Sequence, residues 1–138
     1  MIFKDLFNLI LWSIKFVRPT LSIYLIVSKD SMKFVSLEDD QVFHGTSKFS
    51  SERLLIADPI EAEKLGFELL GKLFRPVELK TKNLKVFCHP LDSKLGDLSQ
   101  SELMIFRDFS HRIGGKNVCL MSEEHELSPA ELKNKDYA

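Results

Sequence analysis

The stretch A-D-P-I-E-A-E-K-L-G-F-E-L-L-G-K-L-F-R-P, residues 57–76, reads as a helix with its own start and stop signals. Asp58 can accept a hydrogen bond from an open N–H of the first turn. Pro59 suits the first helical position, where no N–H partner is needed, and Glu61 stands where a carboxylate reaches back to the cap. Arg75-Pro76 ends the helix at about Phe74. On a wheel of 100° per residue, Ile60, Ala62, Leu65, Gly66, Phe67, Leu69, Leu70, Leu73 and Phe74 cover more than half the circumference. Glu61, Lys64, Glu68 and Lys72 keep a narrow wet stripe, so the helix is expected to be covered on two sides. Gly66 lowers helix propensity by ~1 kcal/mol relative to Ala, which suits close approach of another backbone.

Outward from this helix, residues 53–124 read strand, capped helix, strand, capped helix, strand. Residues 54–57, Leu-Leu-Ile-Ala, are the first strand, and Leu84 to His89 form the next before Pro90. A loop through Gly96 precedes Ser99-Gln100-Ser101-Glu102, the pattern of a capping box. The second helix is expected over residues 100–113, with Leu103, Ile105, Phe106, Phe109 and Ile113 buried and Arg107, Asp108, His111 and Arg112 wet. Gly114-Gly115 is its left-handed stop, and Asn117 to Met121 form the last strand. Upstream, residues 21–27 are a nearly continuous apolar run, the mark of a strand buried on both faces. Ser28 to Ser31 form a turn, Met32 to Leu37 a second strand, Asp39-Asp40 a turn and Gln41 to His44 a short third strand. An antiparallel meander beside parallel strands with right-handed crossovers gives an α/β fold: a mixed five-stranded sheet with two crossover helices, preceded by an N-terminal amphipathic helix.

Composition narrows the function classes. With 138 residues and 44% apolar content, the chain buries one sizeable core, so one domain is expected. Nineteen Lys and Arg against twenty Asp and Glu leave a formal charge of −1, and basic residues are scattered, which argues against nucleic acid. Cys88 and Cys119 lie in apolar runs, and His44, His89, His111 and His125 show no metal-ligand spacing. Free thiols and no metal site are expected.

Residues 1–18 stand apart. Ile2, Phe3, Leu6, Phe7, Ile10, Trp12 and Ile14 make the segment mostly apolar, while Lys4, Asp5, Asn8, Lys15 and Arg18 gather on one side, with Leu11 and Trp12 intruding. About 16 residues of helix rise ~24 Å, short of the ~30 Å hydrocarbon core of a bilayer. Arg18-Pro19-Thr20 is no signal-cleavage site. Two readings stay open: a helix in the lipid headgroup plane with Lys4, Lys15 and Arg18 facing phosphates, or a helix packed on its own domain or on a partner. The expected organisation is an amphipathic helix at 1–18, a domain at 19–124 and a polar tail at 125–138, with a helical turn beginning at Ser128-Pro129.

Three strands, helix, strand, helix, strand is the order of the ribonuclease H-like fold of actin and its relatives, and the motifs resemble the bacterial rod-shape family MreB. Leu55-Ile56-Ala57-Asp58 resembles its V-I-A-D, Lys85 to Pro90 its following strand, and Ser99-Gln100-Ser101-Glu102 its T-E-V-E. Residues 113–120 are similar to A-G-A-x-x-V-Y-L, with Glu123-Glu124 matching the acidic pair of I-E-E-P. The family's first phosphate loop, D-L-G-T, corresponds to Val27-Ser28-Lys29-Asp30-Ser31, which has no glycine to let N–H groups close on a phosphate. The second phosphate loop and adenosine site belong to a half that this chain is expected to lack.

The resemblance therefore implies an actin-like framework without nucleotide. No catalytic, cofactor-binding or metal residues are expected, and Glu102 and Asp58 are read as caps although the family places a water-orienting glutamate at the former. The implied role is a non-enzymatic interaction or scaffold module linked to cell shape. It would be cytoplasmic, with peripheral contact at the inner membrane: Ile2, Phe3, Lys4, Leu6, Phe7, Ile10, Trp12, Ile14, Lys15 and Arg18 would form a membrane or partner helix, and the sheet edge or an uncovered apolar surface would meet a protein partner or a second copy. The alternatives are a Mg²⁺-dependent nuclease or phosphotransferase using Asp30, Asp58 and Glu102, and an adaptor in a pilus or envelope assembly.

Overall fold

The computed structural model describes residues 19–91, 98–123 and 125–134. The segment 1–18, its expected helix and its candidate contact residues, together with Glu124, lie outside the described residues.

β1 (Thr20–Ser28) is central. Its apolar run leaves no polar face, and both faces are accordingly buried: Leu21, Ile23, Leu25 and Val27 on one, Tyr24 and Ile26 on the other. β2 (Ser31–Ser36) pairs antiparallel with β1, and β3 (Val42–Thr46) pairs antiparallel with β2. β4 (Asn83–Pro90) lies parallel to the other edge of β1, and β5 (Gly115–Leu120) lies parallel to β4. The order is β3-β2-β1-β4-β5, the mixed five-stranded sheet expected from the sequence.

α1 (Pro59–Leu73) and α3 (Gln100–Arg112) cover the first face, and α2 (Pro76–Thr81), a short helix absent from the sequence reading, links α1 to β4. Asp58 caps α1 through Glu61 N–H at 3.2 Å. The reciprocal half of the expected box does not form: Asp58 N–H donates to Phe49 O at 2.9 Å, and Glu61 instead accepts from Ser47 Oγ at 3.2 Å. At α3, Ser99 Oγ accepts from Glu102 N–H at 3.3 Å and donates to the Glu102 carboxylate, so the pair caps the helix through one hydroxyl.

Two expectations are corrected. Residues 54–57 form no strand: Leu55 and Ile56 are buried, but as part of an irregular run whose Ala57 N–H donates to Phe49 O at 2.7 Å. The apolar run is real, yet what receives its end is a single carbonyl of the preceding loop. Nor is α1 covered on two sides among the described residues. Ile60 is 66% exposed and Phe67 54%, because the sheet and α3 occupy only the arc centred on Ala62, Leu69 and Leu73.

The second face is closed by the chain's last described stretch. Met121, Leu127 and Leu132, the last in α4 (Pro129–Asn134), pack with Tyr24, Ile26, Val35, Leu37 and Phe87. Here the sequence reading had a polar tail beginning at residue 125, and two leucines of that span are core residues. α4 opens with a complete capping box: Glu131 N–H donates to Ser128 Oγ at 3.2 Å and Ser128 N–H to the Glu131 carboxylate at 3.3 Å.

What crowds Gly66 is a pair of side chains, where the sequence reading expected a backbone. A Cβ there would stand 2.9 Å from Ile113 Cγ2 and 3.2 Å from Phe109 Cζ. Gly66→Val is predicted to lower stability by about 1–3 kcal/mol through overpacking, outweighing the loss of the glycine's helix cost of ~1 kcal/mol. Urea denaturation of the two proteins measures the difference.

Candidate functional site

Because β1, β4 and β5 run parallel, the end of β1, the end of β4 and the starts of α1 and α3 meet at one end of the sheet, where α/β folds place their sites. That end carries Asp30, Asp58 and Glu102. Asp30 sits in the two-residue turn between Ser28 and Ser31 with φ 53, a conformation that Asp tolerates better than most residues. The turn is stitched to the loop after β3. Asp30 N–H donates to Ser50 Oγ at 2.9 Å, Ser50 N–H returns to Asp30 Oδ1 at 2.8 Å, and Ser47 N–H donates to Asp30 O at 3.0 Å. Ser50 Oγ donates onward to Leu55 O.

Each of the three carboxylates is thus engaged locally: Asp30 with Ser50, Asp58 with the first turn of α1, Glu102 with Ser99. Sharing one end of the sheet does not bring them into one cluster. Among the described residues no three His, Cys, Asp or Glu side chains stand together as a metal would require. No helix among those residues is long and apolar enough to cross a membrane.

The sequence reading missed a polar core on the other face. Tyr24 and His89 are fully buried, with Tyr24 Oη 2.5 Å from His89 Nδ1 and their rings stacked 5.8 Å apart. His89 Nε2 lies 2.6 Å from Glu123 O, and Leu127 N–H donates to Tyr24 Oη at 3.1 Å. A carbonyl can only accept, so Nε2 carries the proton, Nδ1 accepts, and the tyrosine hydroxyl donates to it. The relay Leu127 N–H, Tyr24, His89, Glu123 O fastens residues 123–127 to the sheet, and Lys33 adds a 2.6 Å ion pair to Glu126 at the surface. The only signal in the sequence was a Tyr and a His at inward positions of strands with the parallel register still unknown.

Cys88 is fully buried in β4, and Cys119 in β5 is partly covered; both are free. Burial pushes the Cys88 thiol up to about 12 from its ordinary 9.0, and burial also raises Cys119. Burial likewise pushes the Tyr24 phenol up to about 12 from 10.0, with the Leu127 N–H opposing and the carboxylates of Glu126, Glu123 and Glu131 adding to the rise.

No protein-family model matches the sequence, and no curated protein matches it. Among solved structures, MreB5 of Spiroplasma citri bound to ADP matches with a TM-score of 0.51 and 10% sequence identity. The ethanolamine utilization protein EutJ from Carboxydothermus hydrogenoformans matches with a TM-score of 0.51 and 14% identity. In each case 75% of this chain is covered and 38% of the other, so the match spans well under half the length of either structure.

Two predictions follow from the buried relay and the thiol. Tyr24→Phe leaves Leu127 N–H and His89 Nδ1 without their partner, and is expected to cost about 1–3 kcal/mol. Faster amide exchange at Leu127 would report the loosened segment. Both Tyr24 and Cys88 are neutral when protonated and have folded values above their ordinary ones, so the stability they contribute is complete below pH 9.0 and is lost as pH rises toward about 12. Denaturation midpoints measured across that range are expected to fall, and Tyr24→Phe to flatten the upper part of the fall.

Over the matched part, the chain shares its fold with both solved structures: an α/β domain with a mixed five-stranded sheet, of the actin-like kind.

Proposed function

We propose that this domain is a non-enzymatic interaction module built on an actin-like framework, acting by binding a protein partner rather than by turning over a nucleotide. The observation that carries this reading is the filled β1–β2 turn. The resembled family cradles phosphate at this turn with free N–H groups and a glycine. Here the Asp30 N–H is spent on Ser50 Oγ, and a carboxylate occupies the turn. An anion drawn to the turn would lose an N–H donor and face like charge.

The other acids at this end of the sheet support the same reading. The Asp58 carboxylate caps the first turn of α1 and the Glu102 carboxylate accepts from the Ser99 hydroxyl that caps α3, and a carboxylate engaged in this way is poorly placed to orient water or hold Mg²⁺. What the domain offers instead is surface among the described residues: exposed apolar side chains at Ile60, Phe67, Val77 and Met104, and a sheet edge at β3.

Titration calorimetry with Mg²⁺-ATP and Mg²⁺-ADP tests the proposal. No binding heat is expected at nucleotide concentrations up to the millimolar range, with no phosphate release on prolonged incubation. Saturable micromolar binding of either nucleotide would refute it.

A further inference from the structure

Among the described residues the sheet ends in β3 on one side and β5 on the other, and the two edges are unlike. In β5, Gly115 pairs with Leu84 and Asn117 with Lys85, so Lys116 is an extra residue in the ladder. A bulge and a lysine are two devices by which an edge discourages a further strand. β3 has neither lysine nor proline, its register on β2 is unbroken, and its Val42 is 49% exposed. The backbone fixes which groups of β3 point outward. Ser36 N–H donates to Gln41 O at 2.8 Å and Ser47 N–H to Asp30 O at 3.0 Å, so residues 41 and 47 turn their polar groups toward β2. In an antiparallel ladder such residues alternate, which turns 43 and 45 inward as well and leaves the N–H and C=O of Val42, His44 and Thr46 on the outer edge.

Outward residues spaced in this way are their own complement. Turned about a two-fold axis through His44, a second β3 lies antiparallel, with Val42 opposite the other copy's Thr46 and His44 opposite His44. Each is then a bonded pair that exchanges two N–H···O bonds. Moving the axis by one residue leaves Val42 or Thr46 past the end of the other strand, and a half-step sets outward groups against inward ones. Val42 and Thr46 are both β-branched, which suits a cross-strand pair, and Val42 gains cover beside Val35, its partner in β2 and a core residue. The helix above the strand agrees. α1 packs on β2 and β3, so in a joined sheet its two copies stand over neighbouring strand pairs, about 10 Å apart, the spacing of packed helices. A Cβ on Gly45 would meet Leu65 and Leu69, so the axis passes near the middle of α1 and the copies run antiparallel. Glu61 accepts from Ser47 Oγ in the loop after β3, which marks the flank of α1 on this side. Lys72, 3.6 Å from Glu68, shares that flank about three turns further on, so Glu61 of one copy comes toward Lys72 of the other.

We propose that the chain pairs with a second copy of itself through β3, joining two molecules in one continuous sheet. The inference rests on the reading of the domain as an interaction module and names what meets one of its surfaces. The second copy takes the β3 edge, while Ile60 and Phe67, on the side of α1 away from the sheet, are outside the pairing and stay with the other partner. The two-fold axis ends the assembly at two copies, because the same edge is used on both molecules and the β5 edge is guarded by its bulge.

Sedimentation velocity of the full chain, over a concentration series reaching the upper micromolar range, is expected to show a monomer–dimer equilibrium and nothing larger. His44→Lys sets two ammonium groups opposite each other at the axis and is expected to weaken the dimer at least roughly ten-fold. A chain that stays monomeric throughout, one that builds open-ended assemblies, or a dimer indifferent to His44→Lys overturns the proposal. A covalent arm keeps the test independent of how that variant folds. In the full chain with Cys119→Ser, His44→Cys puts two thiols on Cα atoms about 5.5 Å apart across a bonded pair, within disulfide reach. Mild oxidation is expected to link two molecules at least roughly ten-fold faster than with Lys116→Cys, exposed on the β5 edge, and equal rates overturn the pairing. Nucleotide calorimetry on the same sample separates this inference from the earlier reading. A monomer that binds no nucleotide sinks the pairing alone, and a dimer that binds nucleotide sinks the earlier reading alone.

Discussion

β1 is apolar on both faces and hydrogen-bonded along both edges, and the helices and the returning chain that pack on the sheet keep water away from it. A strand of this kind cannot lie at the surface, because either face would expose a row of large side chains. The antiparallel edge is met by the nearest chain, folding back through Lys29 and Asp30. The parallel edge cannot be met locally, so the chain must cross over, and α1 with α2 is that crossover. Burying the first face then follows from the crossover itself, whereas the second face waits for the chain to return after β5 with Met121, Leu127 and Leu132.

Much of this was legible because its causes are local. Asp58-Pro59 and Ser99 mark helix starts by hydrogen bonds that span three residues, and the seven-residue apolar run of β1 announces two buried faces without reference to any partner. What stayed hidden depends on residues far apart in the chain. The coverage of α1 is a property of its neighbours, so its wide apolar arc was read as two-sided when Ile60 and Phe67 face outward. Residues 54–57 have strand-like composition, but the atom that receives them is Phe49 O, and composition cannot name it. The relay through Tyr24 and His89 joins positions 65 residues apart. Leu127 and Leu132 sat among charged residues, where two leucines carry little periodicity, yet both are core residues.

The candidate site separates scaffold from chemistry. The fold delivers Asp30, Asp58 and Glu102 to the end of the sheet where a related architecture would work, yet short-range bonds claim each one before they can act together. A shared fold thus predicts where side chains arrive and says little about whether they are free. The glycine-free turn was visible in the sequence; that its N–H is bound to Ser50 was visible only once the loop after β3 had been placed beside it.

The two thiols make the molecule its own gauge of opening. Cys88 lies at the heart of the parallel pairing, while Cys119 sits on the outermost strand. An alkylating reagent would find the rim sulfur whenever that border frays, but would reach the inner one only after the sheet itself comes apart. The ratio of the two labelling rates therefore distinguishes breathing at the margin from collapse of the whole.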